Sequence, residues 1–190
     1  MIVHVTRLDS PIGTLTAFAD GDTLIGLDLN GHEGDASGIV QHLRRHERDL
    51  DFAPHPDAAG ARTRLTRYFA GEMAVLTEQP VRMLGTDFQR AIWATLTRIP
   101  AGTTWTYAQL AEAAGRPQAV RAAGAANGAN PVSLFVPCHR VIGADGTLWG
   151  YGGGLERKAW LLRHEKAAFR ALGTDHSSQM RLHLPAPGVV

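Results

Sequence analysis

An α+β protein is the expectation for this chain of 190 residues: a small N-terminal antiparallel-sheet domain, then a mostly helical C-terminal domain containing a helix-turn-helix. Three observations carry it. The first thirty residues alternate apolar and polar between turns rich in glycine, proline and aspartate; two amphipathic helical stretches follow; and beyond Gly85 helical periodicity dominates. Hydrophobic residues make up 44% and charged ones 19%, which places the chain among globular rather than disordered or fibrous proteins. No apolar run approaches the roughly 18–20 residues of a membrane span.

The elements follow in order. Ile2 to Thr6, Gly13 to Phe18 and Thr23 to Leu29 read as short strands of a meander, separated by Ser10-Pro11-Ile12-Gly13 and Ala19-Asp20-Gly21-Asp22. Ala36 to Arg48 reads as a helix with Ile39, Leu43 and His46 on one face. Ala58 to Ala70 reads as a second, with Leu65, Tyr68 and Phe69 inward and Gly71 as its stop. Residues 1–84 thus form one domain. Thr86 or Asp87 caps a helix through Phe88, Ile92, Trp93 and Leu96 that Pro100 ends. Thr106 caps Tyr107 to Ala114, Gly115-Arg116-Pro117 turns the chain, and Gln118 to Asn127 forms the second helix of the pair. Ser133 to Val136 reads as a buried strand delivering Pro137-Cys138-His139-Arg140-Val141. A glycine-rich loop, residues 143–154, leads to a closing helix from Leu155 to Glu165. Residues 85–166 make the second domain, and residues 167–190 read as a flexible tail.

Charge is distributed unevenly. Residues 1–84 carry 8 Lys+Arg against 12 Asp+Glu, whereas residues 85–165 carry 8 against 5. The basic excess lies in the second half, where a polyanion would dock. The single cysteine excludes an internal disulfide and a cysteine-rich zinc site, and no metal or cofactor is expected. The N-terminus lacks the basic start and long apolar stretch of a secretory signal, so a cytoplasmic protein is expected.

Chemistry concentrates at Cys138. A neutral thiol is a poor nucleophile, and a neighbouring base or cation must stabilise the thiolate. His139 is adjacent, but neighbouring side chains on a strand point to opposite faces. Either the chain turns there or a water passes the proton. The plain alternative is a buried cysteine acting as a small hydrophobe. The helix around Ala119-Val120-Arg121-Ala122-Ala123-Gly124 is made almost wholly of small residues. That suits tight packing on a neighbour, or close approach to a flat surface such as a groove floor.

The stretch from Phe88 to Glu165 resembles the O6-alkylguanine-DNA alkyltransferases. The resemblance rests on Pro137-Cys138-His139-Arg140-Val141, Arg121-Ala122-Ala123-Gly124, Asn130-Pro131, Tyr151-Gly152-Gly153-Gly154-Leu155 and Leu161-Leu162-Arg163-His164-Glu165. It implies single-turnover transfer of an alkyl group from guanine O6 in double-stranded DNA to Cys138. His139 would act as base through a water, oriented by Glu165; Tyr107 would donate to the leaving guanine, and Asn130 would set the cysteine loop. Arg121 would fill the stack vacated by a flipped base, with Ala119, Gly124, Thr106, Gln118 and Ala122 also facing DNA. Val136, Val141, Tyr151, Gly152 and Gly153 would line the base pocket. His164, the rival partner for His139, is expected at the surface. A monomer is implied, able to bind DNA cooperatively, with O4-alkylthymine as a further candidate substrate. Two positions depart from some relatives: Gly152 stands where they have serine, and Ser133 where they have proline. The cysteines of an N-terminal zinc site are absent. A non-catalytic lesion binder and a multiple-turnover thiol hydrolase are the competing readings.

Overall fold

The computed structural model describes residues 1–170. Strands β1 (Ile2–Leu8), β2 (Leu15–Asp20) and β3 (Thr23–Asp28) form the expected antiparallel meander. A fourth strand, β4 (Asp51–Pro54), joins the other edge of β1 in parallel, giving the order β3-β2-β1-β4. The sheet is therefore mixed rather than wholly antiparallel. Four residues ending in proline show no usable alternation; β4 exists because the helix before it crosses over and returns the chain alongside β1.

That helix, α1 (Gly38–His46), begins two residues later than the sequence suggests, because Ser37 is its cap. The Ser37 hydroxyl accepts from the amides of Ile39 and Val40 and donates to Asp28. Its inward residues are Val40 and Leu43, which join Val3, Phe18 and Ile25 on one sheet face; His46 stays exposed. The opposite face receives α2 (Ala61–Phe69), with Leu65, Tyr68 and Phe69 buried as expected.

Four helices build the other half. Helix α3 (Asp87–Leu96) starts at a capping box of Thr86 and Gln89, and α4 (Tyr107–Ala113) at a matching box of Thr106 and Gln109. Gly115, at φ +70°, turns the chain into α5 (Val120–Gly128). Helix α3 packs on both and locks α5 in place, since the buried Trp93 indole donates to the Ala126 carbonyl at 2.7 Å. Strands β5 (Trp105–Thr106) and β6 (Val141–Ile142) pair in parallel, and α6 (Leu155–His164) closes the fold.

The expected strand at Ser133–Val136 does not form. The amide of Val136 bonds back to Val132, that of Phe135 to Ser133 and that of Cys138 to Val136, and Leu134 adopts φ +72°. Asn130 holds this knot from inside: its Nδ2 donates to the Val136 carbonyl at 2.7 Å and its Oδ1 accepts from the Val132 amide at 3.0 Å. An apolar run buried on all sides has the composition of a strand whichever way its backbone bonds, and local side-chain bonding won.

The two halves share one core, in which Leu15, Leu24, Leu65 and Tyr68 meet Trp93, Val136, Cys138 and Trp160. Arg157 of α6 reaches across to the Ile12 carbonyl at 2.7 Å and to Asn30. Residues 167–170 continue the packed structure: the Ala167 amide bonds Leu162, and the Arg170 amide bonds Gly146. The rest of the expected tail lies outside the described residues. Among those described, no helix is long and apolar enough to cross a membrane.

Candidate active site

Cys138 opens a short 3-10 turn, Cys138–Arg140, rather than ending a strand. The chain does turn there. The turn directs His139 and Arg140 together to one carboxylate, that of Glu165. Cys138 is 4% exposed, and Ser133 Oγ lies 3.6 Å from Sγ. Burial pushes the thiol pKa up, while hydrogen bonding from Asn130 and Ser133 and the charge of Lys158 pull against it. At rest this is a protonated thiol waiting for a base.

A buried network is built on Glu165. His139, fully buried, lies with Nε2 3.0 Å from Glu165 Oε1. Arg140 donates from Nε to Oε2 and from Nη2 to Oε1, each at 2.8 Å, and from Nη1 to the Ile99 carbonyl. The Tyr68 hydroxyl donates to Oε1 at 2.7 Å. Burial alone would raise the Glu165 pKa, but His139 and Arg140 outweigh it and hold the carboxyl below its usual range. Burial also lowers the pKa of His139, against the opposing pull of Glu165. The imidazole is therefore neutral. An ionised carboxylate can only accept, so the proton sits on Nε2 and Nδ1 carries the free lone pair. Nδ1 is buried without a protein partner. It is the one ring nitrogen of His139 left without a hydrogen bond.

Lys158 is the component that sequence reasoning missed. It is fully buried on α6, and its Nζ donates to the Trp149 carbonyl at 2.7 Å. Burial lowers its pKa to about 8, with the charge of Cys138 opposing. The signal was present: Lys158 falls on the apolar stripe with Leu155, Ala159 and Leu162, where a lysine needs a reason. Tyr107, half-buried at the start of α4, donates to the same Trp149 carbonyl at 3.2 Å. Burial, then the charge of Cys138, raises its pKa, so it remains a proton donor at neutral pH.

Of the other expected residues, Asn130 shapes the loop that carries Cys138. The backbone groups of Val136 are already bonded within that loop, and the Val141 amide donates to the Cys138 carbonyl. Both valines are fully buried. Tyr151 buries its hydroxyl without a partner. At Gly153 a Cβ would lie 2.8 Å from Leu29 and 2.9 Å from Tyr151, so a side chain there would force these neighbours to shift; at Gly152 nothing stands within 4 Å. Arg121, Gln118 and Ala122 are exposed, whereas Ala119, Gly124 and Thr106 are half-buried, and the Thr106 hydroxyl serves its helix cap. His164 is buried rather than superficial: its ring stacks on Trp160 with centroids 4.9 Å apart, and Nε2 meets the Tyr68 carbonyl. It does not compete for His139.

Cys138, Ser133, Asn127, Tyr151 and Gly152 line one cavity of about 430 Å³ that continues toward α1. A slightly larger cavity, about 470 Å³, lies on the N-terminal sheet around Phe52 and His55 and touches none of these groups. The chemistry decides between them.

Fold and site together define a thiol protein whose nucleophile sits behind a helix-turn-helix. The sequence family described as 6-O-methylguanine DNA methyltransferase, DNA binding domain, matches residues 87–167. A methylated-DNA–protein-cysteine methyltransferase of Salmonella typhimurium is 52% identical over 160 residues, covering 84% of this chain and 93% of the relative. One of Mycobacterium bovis is 44% identical over 169 residues, covering 87% and 94%. Among solved structures, the Mycobacterium tuberculosis OGT in complex with DNA aligns with TM-score 0.72 at 42% identity, covering 86% of this chain and 93% of the other. The chain belongs to the methylated-DNA–protein-cysteine methyltransferase family.

Proposed function

We propose that this protein repairs double-stranded DNA by moving an alkyl group from guanine O6 to Cys138, once per molecule. The observation that carries the reading is the buried Cys138, His139 and Glu165 constellation, with its free imidazole lone pair, directly behind α4 and α5. The similarity to an enzyme solved with DNA supports the same conclusion.

In the transfer, Sγ forms a bond to the alkyl carbon as the carbon–O6 bond breaks. The thiol proton passes to His139 Nδ1 through an ordered water, and Glu165 stabilises the imidazolium that results. The departing guanine anion takes a proton from the Tyr107 hydroxyl, and solvent returns the His139 proton to Tyr107. The product is a thioether, which has no leaving group to return, so the site is consumed.

A stacked base cannot present O6 to this thiol, so the nucleotide rotates out of the duplex. Helix α5 presents Ala122, Ala125 and Gly128 outward, small enough for close approach to a groove, and Arg121 at its start takes the place of the extruded base. Incubation with a duplex containing O6-methylguanine should add the mass of one methyl to the Cys138 peptide, with product never exceeding protein. Cys138→Ser should abolish the gain while retaining DNA affinity. Binding without any mass gain by the wild type would make this a lesion-binding protein, and product in excess of protein would make it a turnover enzyme.

A further inference from the structure

Asn127 lies on the last turn of α5, is 2% exposed, and lines the cavity that holds Cys138, Ser133 and Gly152. Its Nδ2 donates to the Cys138 carbonyl at 3.3 Å. That bond sets the orientation of the amide, because the flipped form would turn Oδ1 against another acceptor. Oδ1 is then a buried acceptor with no donor. Asn130 differs: both ends of its amide are bonded within the cysteine loop, whereas Asn127 has one end bonded to the loop and the other unmatched. Buried acceptors are nearly always paired, and an exception in a reactive cavity points to something that arrives with a donor.

The chemistry of the candidate base narrows what that donor is. Alkylation at O6 removes the proton from ring N1, so the only N–H donors left on the base of O6-alkylguanine belong to the exocyclic 2-amino group. The pyrimidine ring of O4-alkylthymine has no N–H at all.

We infer that Asn127 is a specificity-determining residue whose Oδ1 accepts a hydrogen bond from the 2-amino group of the extruded guanine. The inference rests on the alkyl-acceptor reading of Cys138. Because Asn127 belongs to α5 and also holds the Cys138 carbonyl, the same side chain ties the helix proposed to meet DNA to the nucleophile and to the base.

The test uses single-turnover transfer from duplexes carrying O6-methylguanine or O6-methylhypoxanthine, which differ only by the 2-amino group. The wild type should prefer the guanine by about tenfold, the worth of one hydrogen bond. Asn127→Ala and the volume-conserving Asn127→Leu should both reduce that preference to near unity. A role confined to holding the Cys138 loop would slow both substrates equally and leave the ratio intact, and that result overturns the inference. Equal wild-type rates on the two bases overturn it as well, without recourse to any variant. Absence of transfer from either base by the wild type is a different failure, because it removes the alkyl-acceptor reading itself.

Discussion

Replacing Glu165 with glutamine changes almost no volume and removes one charge from the centre of the buried network. In the wild type the carboxylate accepts four hydrogen bonds: one each from His139 and Tyr68 and two from Arg140. In Glu165→Gln the amide oxygen can keep the Arg140 pair at best partly, and the amide NH2 faces groups that are themselves donors. Two charge-assisted bonds are lost, each about 1.5–3 kcal/mol, and the Arg140 guanidinium is left buried without a counter-charge. A loss of about 3–5 kcal/mol is expected, which lowers the melting temperature of a domain this size by roughly 6–20 °C. The pH dependence carries a definite sign. Glu165 has a folded pKa depressed below its ordinary 4.5, so its contribution is complete above that value and declines as pH falls beneath it. The gap between wild type and Glu165→Gln, followed by thermal melts from pH 7 to pH 3, should therefore narrow on the acid side. Transfer to Cys138 should also slow, by up to roughly 10²–10⁴ if mispositioning His139 forfeits its whole contribution as general base. A variant that melts with the wild type at pH 7, or a gap that widens on acidification, would refute the role of the carboxylate as anchor.

Other consequences are open to measurement. Arg121→Ala should slow repair of duplex DNA much more than reaction with the free alkylated base, and equal slowing in a single-turnover assay would count against insertion into the stack. Gly153→Ala should destabilise the protein by about 1–3 kcal/mol through its contacts with Leu29 and Tyr151, while Gly152→Ser should melt within about 0.5 kcal/mol of the wild type; denaturant titration of the pair separates them. Lys158→Met removes the buried ammonium beside Cys138, so the pH profile of thiol alkylation by iodoacetamide should move upward, and an unmoved profile would show that Lys158 only braces Trp149.

Much of the site is legible in the residues because its parts are adjacent or stand at recognisable places. Cys138 and His139 are neighbours, Thr106 and Gly115 punctuate the helix-turn-helix, and the small residues of α5 are conspicuous in composition alone. The parts that are not legible depend on distances the chain order hides. Tyr68 lies 97 positions from Glu165 yet bonds to it. His164 is expected at the surface because it matches no role in the family the sequence resembles, but its stack on Trp160 and bond to Tyr68 bury it.

The sequence alone determined the meander, the capped helices and the identity of the reactive sulfur, since periodicity, caps and turn residues act over a few positions and need no distant partner. Tertiary structure decided the rest. Whether Ser133 to Val136 would be a strand depended on which bonds a buried backbone found, and the Asn130 amide supplied local ones. That β4 would run parallel to β1 depended on the path of α1. The neutral form of His139 depended on its burial, and the depressed pKa of Glu165 on bringing the imidazole and Arg140 against the carboxylate in one dry volume, where electrostatic interactions are strong because water is absent.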